Sequence, residues 1–423
     1  MKHTVEEVVL KNGARGLLID VPGASVLSTR VQFRAGMMSA RNKYIYEIPH
    51  LVEHLAFGAN AKFRDEQAYE AEFTKNGAYH NAWTSDISVC YETECADFEW
   101  ERIMELQRVS IVEPRFNEAE LKSEKANIRS ELTGYMNDYY RLLWPRVQQA
   151  VGEDILALPE RLETIRNIDL DDIREHYRRT HTAKNMLFII VGSLKGRKKK
   201  IIDMFEKWGL REGEMFEVPR AELKTQSAVS IRRKDASNIT FGFSFVIPRH
   251  LEPVESLAMN CLNHILTGTT SSKIFGTARK LGLVYGIGSS VAANAHSSYW
   301  DFDGEVNVEN AEALFDLIHT ELFKVVSGRL SERDIEASKS YALGRYQMGA
   351  QTPPAIADFY SEGYFTNRKV VKYDSIPKLL EEVDKGMVIR LAREFVRSGV
   401  KGFAAVSSTD KAFITSLDER LKF

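Results

Sequence analysis

Cysteine is scarce. Cys90, Cys95 and Cys261 are the only three in 423 residues, an odd count with no CxxC pair, which excludes a disulfide framework and points to a reducing compartment. Long apolar runs are missing as well. The strongest, Met186 to Val191 with its flanks, falls far short of the roughly 20 residues that cross a bilayer, so no membrane partner is expected. Met1 to Glu7 carries Glu6 and Glu7 and no apolar segment, so neither a secretory signal nor an Arg-rich transit peptide is legible and the expected address is cytoplasmic. Excess charge is absent too: 57 Lys plus Arg stand against 59 Asp plus Glu, a formal charge of -2, which implies no global attraction to nucleic acid. The dense basic run Leu194 to Lys200 has no interleaved aromatic residues and reads as solvated surface.

What remains is an ordinary globular composition, 44% hydrophobic and 27% charged, long enough for two or three domains. Val8, Leu10, Gly16 to Ile19 and Val26 to Phe33, separated by Asn12-Gly13 and Pro22-Gly23 turn signals, predict a small antiparallel meander. Helical spacing runs from Ile48 to about Lys75 and closes at Gly77, and Asn81 to Thr93 reads as strand. Pro114 precedes a long polar helix from about Asn117 to Tyr140; Leu170 to Thr180 is helical and Asn185 to Gly192 a short buried strand. The order then repeats. Glu53 to Gly58 reappears as Asn263 to Gly268, and Asn117 to Leu121 parallels Ser331 to Ile335. These similar offsets predict an α+β fold of two structurally similar domains, 1–215 and 216–423, each a mainly antiparallel sheet with helices packed on one face.

The sharpest chemical feature is His50-Leu51-Val52-Glu53-His54, an HxxEH pentad on one helix face. Two imidazoles one turn apart can grip one Zn²⁺ while leaving room for water, and Glu53 beside them can take that water's proton. With 10 His in the chain, chance would produce this pentad roughly 0.02 times per sequence. A third ligand is needed, and the polar helix offers Glu118, Glu120, Glu124 and Glu131. Spacing alone does not choose among them, although Glu124 and Glu131 share a face, as a ligand and its supporting carboxylate would.

HxxEH followed by 76 residues and then Glu resembles the signature of the pitrilysin and insulinase family of inverse zinc metallopeptidases, since Glu131 lies 77 positions after His54. Phe57, the Asn81-Ala82-x-Thr84 segment, Pro114, Glu124 and Val191-Gly192 are similar to the family as well, and the likeness extends over both halves. It implies one zinc per chain bound by His50, His54 and Glu131, with Glu53 as general base and Glu124 in support. It places the strand holding Asn81 and Ala82 where an extended peptide pairs with it. In the second half, Ser272 to Phe275 with Arg279 and Gly282 to Tyr285 resembles the segment whose Arg and Tyr reach toward substrate. The Arg279 to Tyr285 spacing is six, where the family more often has seven.

At the positions matching His50, Glu53, His54 and Glu131, the second half has Asn260, Asn263, His264 and Arg345, so it is expected to bind substrate rather than metal. The resemblance implies an endopeptidase acting on unfolded peptides inside a chamber formed by two chains, as a homodimer or as a heterodimer with a related subunit. A non-catalytic scaffold or partner subunit of the same fold is the competing expectation.

Overall fold

A computed structural model of the chain describes residues 1–423, except the side chains of Glu362 and Asn367. Among the described residues two sheets form. The first contains β1 (Thr4–Val9), β2 (Arg15–Asp20), β3 (Val26–Phe33), β4 (Tyr79–Thr84), β5 (Val89–Ala96) and β6 (Met186–Gly192) in the order β1-β2-β6-β3-β5-β4. The second contains β7 (Val229–Arg232), β8 (Ile239–Ile247), β9 (Ile287–Ala293), β10 (Ser298–Val306) and β11 (Val400–Ser407) in the order β7-β11-β8-β10-β9. Each is antiparallel apart from one pair, β2 with β6 and β7 with β11. The α+β class of two similar sheets with helices is therefore observed.

The expected meander is corrected, because β6 inserts between β2 and β3. The cause is burial. Every residue of β6 is buried, so both of its edges need partners that are themselves covered. The largely exposed β1 takes the sheet edge instead.

The helices used below are α1 (Ile48–Ala56), α2 (Glu66–Thr74), α3 (Trp100–Val112), α4 (Glu118–Tyr135), α5 (Tyr139–Ala150), α6 (Leu158–Thr164), α7 (Leu170–Thr180), α8 (Lys198–Glu206), α9 (Pro253–Leu266), α10 (Phe275–Lys280), α11 (Ala311–Val326), α12 (Glu332–Met348) and α13 (Pro353–Asn367). The single helix expected over 48–75 is two helices. After α1 the chain turns at Asn60, which bridges to Pro114, and Asp65 accepts from the Ala68 N–H to cap α2. The helix expected over 117–140 likewise stops at Tyr135, and Asp138 caps α5 by accepting from Tyr140 and Arg141.

The chain divides into two compact units. One comprises Met1–Thr133, Pro159–Pro219 and Gly349–Lys372; the other comprises Gly134–Leu158, Arg220–Met348 and Tyr373–Phe423. Each half of the sequence thus lends a helix to the opposite unit, α5 going one way and α13 the other. In the first unit, α3 and α8 pack on the sheet face bearing Leu27, Val31, Phe33 and Phe188. The other face is covered by α13: Arg30 donates to Asp358 at 3.0 Å and Arg34 to the Phe365 carbonyl at 3.0 Å. In the second unit, α9 and α11 lie against Phe241, Phe243, Phe245 and Trp300. On that sheet's other face Gly402 admits α5, since a Cβ there would come within 2.7 Å of the Val147 carbonyl. Helices on one face is therefore an incomplete description. Continuous burial along β8 and nearly all of β3 requires cover on both sides.

Three of the five cations in the basic run after β6 are paired locally. Arg197 makes a two-pronged pair with Asp97 at 2.5 and 2.7 Å, Lys198 meets Glu6 at 2.7 Å, and Lys200 pairs with Glu101. Among the described residues no helix is long and apolar enough to cross a membrane.

Candidate metal centre

Helix α1 has nine residues, opens on Pro49 in its first turn, and is buried along its length except at His54. That burial fixes its rotation, so His50, Glu53 and His54 project together. The two imidazole rings sit edge to face with centroids 4.8 Å apart. Helix α4 supplies the carboxylates: Glu131 Oε2 lies 3.6 Å from both His50 Nε2 and His54 Nε2. Tetrahedral coordination at zinc bond lengths separates ligand atoms by about 3.4 Å, so this donor set fits the ion. His50, Glu53 and His54 also each offer a ligand atom within 4.8 Å of the others, which leaves two carboxylates competing for the third position. Geometry separates them. Glu53 Oε2 accepts from Thr84 at 2.5 Å and is drawn toward β4, whereas Glu131 reaches the Nε2 of both rings.

Each imidazole is oriented from behind by its own carboxylate. His54 Nδ1 meets Glu124 Oε2 at 2.9 Å, and Asn127 donates to the other Glu124 oxygen at 3.1 Å. His50 Nδ1 meets Glu47 Oε1 at 2.8 Å, and Arg161 of α6 donates to both Glu47 oxygens at 2.8 and 2.6 Å. The Glu47 N–H in turn donates to Thr164. These partners fix both rings with Nε2 facing Glu131.

The electrostatics follow. Burial pushes the Glu47 carboxyl upward, but the hydrogen bonds from Arg161 and His50 outweigh it and hold the pKa at about 2. Burial likewise disfavours a charged His54, yet Glu124, Glu131 and Glu53 together raise its pKa to about 10. The bond from His54 holds Glu124 below the ordinary carboxylate range. Glu53 moves the other way: burial raises it, and the nearby imidazoles and Thr84 only partly offset this.

Strand β4, which carries Asn81 and Ala82, is the sheet edge nearest in sequence to α1 and has one ladder partner, β5. Its alternation exposes Tyr79, Asn81 and Trp83. The carboxylates offered by α4 divide their tasks. Glu120 accepts from the Ala59 N–H at 2.9 Å and steadies the turn after α1. Gly58 has no Cβ there, where one would meet Glu120 Oε2 at 2.8 Å. Glu118, at the start of α4, is exposed.

In the second unit the matching positions are filled differently. Asn263 accepts from Trp300 Nε1 and Ser289, each at 2.8 Å, and His264 stacks on Tyr341 at 3.7 Å. Asn260 and Arg345 are exposed. Arg279 and Tyr285 lie beside each other, the guanidinium donating to the Tyr285 carbonyl at 2.9 Å and resting over its ring. The Tyr285 side chain is otherwise open to solvent.

Sequence reasoning missed Glu47 and Arg161, and it placed Thr84 in a family-like strand segment without its contact to Glu53. Glu47 carried a signal, since it lies three residues before His50 and shares its helix face. Arg161 and the Thr84 contact carried none, because chain reversal alone brings them to α1.

Comparison with known proteins gives the family. Residues 17–155 match the family described as insulinase (peptidase family M16), and residues 167–341 match the peptidase M16 inactive domain. A Bacillus subtilis protein described as the uncharacterized zinc protease YmxG is 22% identical, over 92% of this chain and 95% of its own length. The mitochondrial-processing peptidase subunit alpha of Pongo abelii is 19% identical over 84% of this chain and 73% of its own. A protease from Helicobacter pylori shares the fold with a TM-score of 0.81 at 16% identity, covering 96% of this chain and all of that one. Two family domains matched in succession, on relatives that span nearly the whole length, place this chain in the insulinase (M16) peptidase family.

Proposed function

We propose that the chain is a zinc-dependent endopeptidase that hydrolyses unfolded peptides, with His50, His54 and Glu131 holding one zinc per chain. The observation that carries this reading is the convergence of both His Nε2 atoms on one Glu131 oxygen at 3.6 Å, with Glu53 beside them. Relatives described as zinc proteases support the choice of metal. Zinc bound there would supply Lewis acidity to a water and to the scissile carbonyl.

The chain's own residues supply the rest. Glu53 accepts the proton of the attacking water and returns it to the leaving amine. Glu124 and Glu47 hold the imidazoles in place. The exposed edge of β4 at Asn81 and Ala82 pairs with the substrate backbone, which favours extended, unfolded peptides over folded ones. We assign Arg279 and Tyr285 to substrate contact on the family resemblance alone. Relatives described as subunits support a working form of two chains, here a homodimer, and the three buried free cysteines suit a reducing cytoplasm.

The test pairs metal analysis with cleavage of a quenched fluorescent peptide. One zinc per chain is expected, with cleavage abolished by a chelator and restored by zinc. Glu53→Gln should retain the metal and lose at least about 10²-fold in kcat. A chain with neither metal nor cleavage would instead be a non-catalytic partner subunit.

A further inference from the structure

The base proposed above is anchored by a strand, and the anchor is one residue. Glu53 is only 7% exposed, and among the described residues its single side-chain hydrogen bond comes from Thr84 Oγ1 to its Oε2 at 2.5 Å. Thr84 is the last residue of β4, on the strand face opposite the exposed Tyr79, Asn81 and Trp83. Two residues earlier on that same inner face, Ala82 packs against the first unit's core, and beyond it His80 meets Glu70 at 2.5 Å. The inner face of the edge strand is thus fixed at both ends by carboxylates.

A glutamate reaches its carboxylate through three rotatable bonds, and a helix alone does not choose among their rotamers. With Oε2 engaged by Thr84, Oε1 is left free to accept a proton. We propose that Thr84 is a positioning residue that sets the Glu53 carboxylate and ties it to β4, so that a peptide pairing with β4 is aligned with the base by the same strand. The inference rests on the reading of this chain as a peptidase. Its chemistry asks for a hydroxyl donor on a β-branched side chain, where the branch suits the strand and the hydroxyl holds the carboxylate.

The test compares wild type, Glu53→Gln, Thr84→Val and Thr84→Ser for zinc content, kcat and KM on one fluorescent peptide. Thr84→Val keeps shape and removes the donor. It should lower kcat by about 10- to 100-fold, the range that a small misplacement of a reacting group produces, with KM changed less than about threefold and zinc retained. Thr84→Ser restores the hydroxyl and should recover most of kcat, which a purely structural role would not predict. Thr84→Ala removes the same donor and repeats the test should the valine variant not fold. Wild-type kcat in the donor-free variants, a serine variant as slow as valine, or a loss confined to KM would overturn the assignment. A wild type that binds no zinc and cleaves nothing would overturn the peptidase reading itself. A wild type that cleaves, with Glu53→Gln inactive and Thr84→Val unimpaired, would overturn only the role of Thr84.

Discussion

Glu47 shows how much depends on a side chain that touches no reacting atom. Its carboxylate is fully buried and takes three hydrogen bonds, two from Arg161 and one from His50. Glu47→Gln would remove the charge that balances Arg161 and release the His50 ring. Metal affinity should fall by about 10- to 100-fold in a chelator competition, with a stability loss of about 3 kcal/mol in urea unfolding. Unchanged affinity would mean that His50 is oriented by packing alone. At this scale the pentad was legible because helical periodicity needs only local sequence, and Glu131 was legible through its family spacing. The Thr84 contact was not, since it depends on which residue of a later strand lies beside α1.

Elements were read well where their ends carry chemical signals. Helix α7 runs from Leu170 to Thr180 as its pattern predicts, and it opens on a reciprocal cap between Asp169 and Asp172. The breaks at 57–65 and 136–138 were missed because apolar spacing persists across both, while the turns are set by Asn60 and by the cap at Asp138. Exchange of α5 and α13 was invisible for a different reason: nothing in a helix records which sheet it will cover. It has a testable consequence. The contiguous fragment 1–215 lacks α13, leaving Arg30 and Arg34 without their partners on that helix and one sheet face bare. It should bind a hydrophobic dye and lack near-ultraviolet dichroism, whereas a fragment with 349–372 fused through a flexible linker should regain a fixed tertiary signal. A well-folded 1–215 would show that α13 is dispensable.

Across the molecule, the first unit's core carries a latent acid sensitivity. His176 and His181 are buried at 3% and 4% exposure. His181 stacks against Phe33 and Tyr177 and contacts the Tyr91 hydroxyl at 3.0 Å. Burial pushes its pKa down to about 3 and holds His176 well below the ordinary value. Between pH 6.5 and 3 the unfolded chain therefore binds protons that the native chain refuses, and stability falls as pH drops through that window. The slope is about 1.4 kcal/mol per pH unit for each histidine. Urea midpoints taken from pH 7 to 5 with chelator present should fall accordingly, and a flat profile would refute the neutral, buried state of these rings.

Chain exchange also sets a timetable for synthesis. The ribosome delivers β6 long before α13, which ends at residue 367, and at 5–20 residues per second the gap is roughly 9 to 35 s. Throughout that interval the emerging first sheet has one greasy flank open to solvent and a free border at β4. Nascent chains of this protein should therefore be clients of holding chaperones, released only once the distant helix has emerged and clamped home.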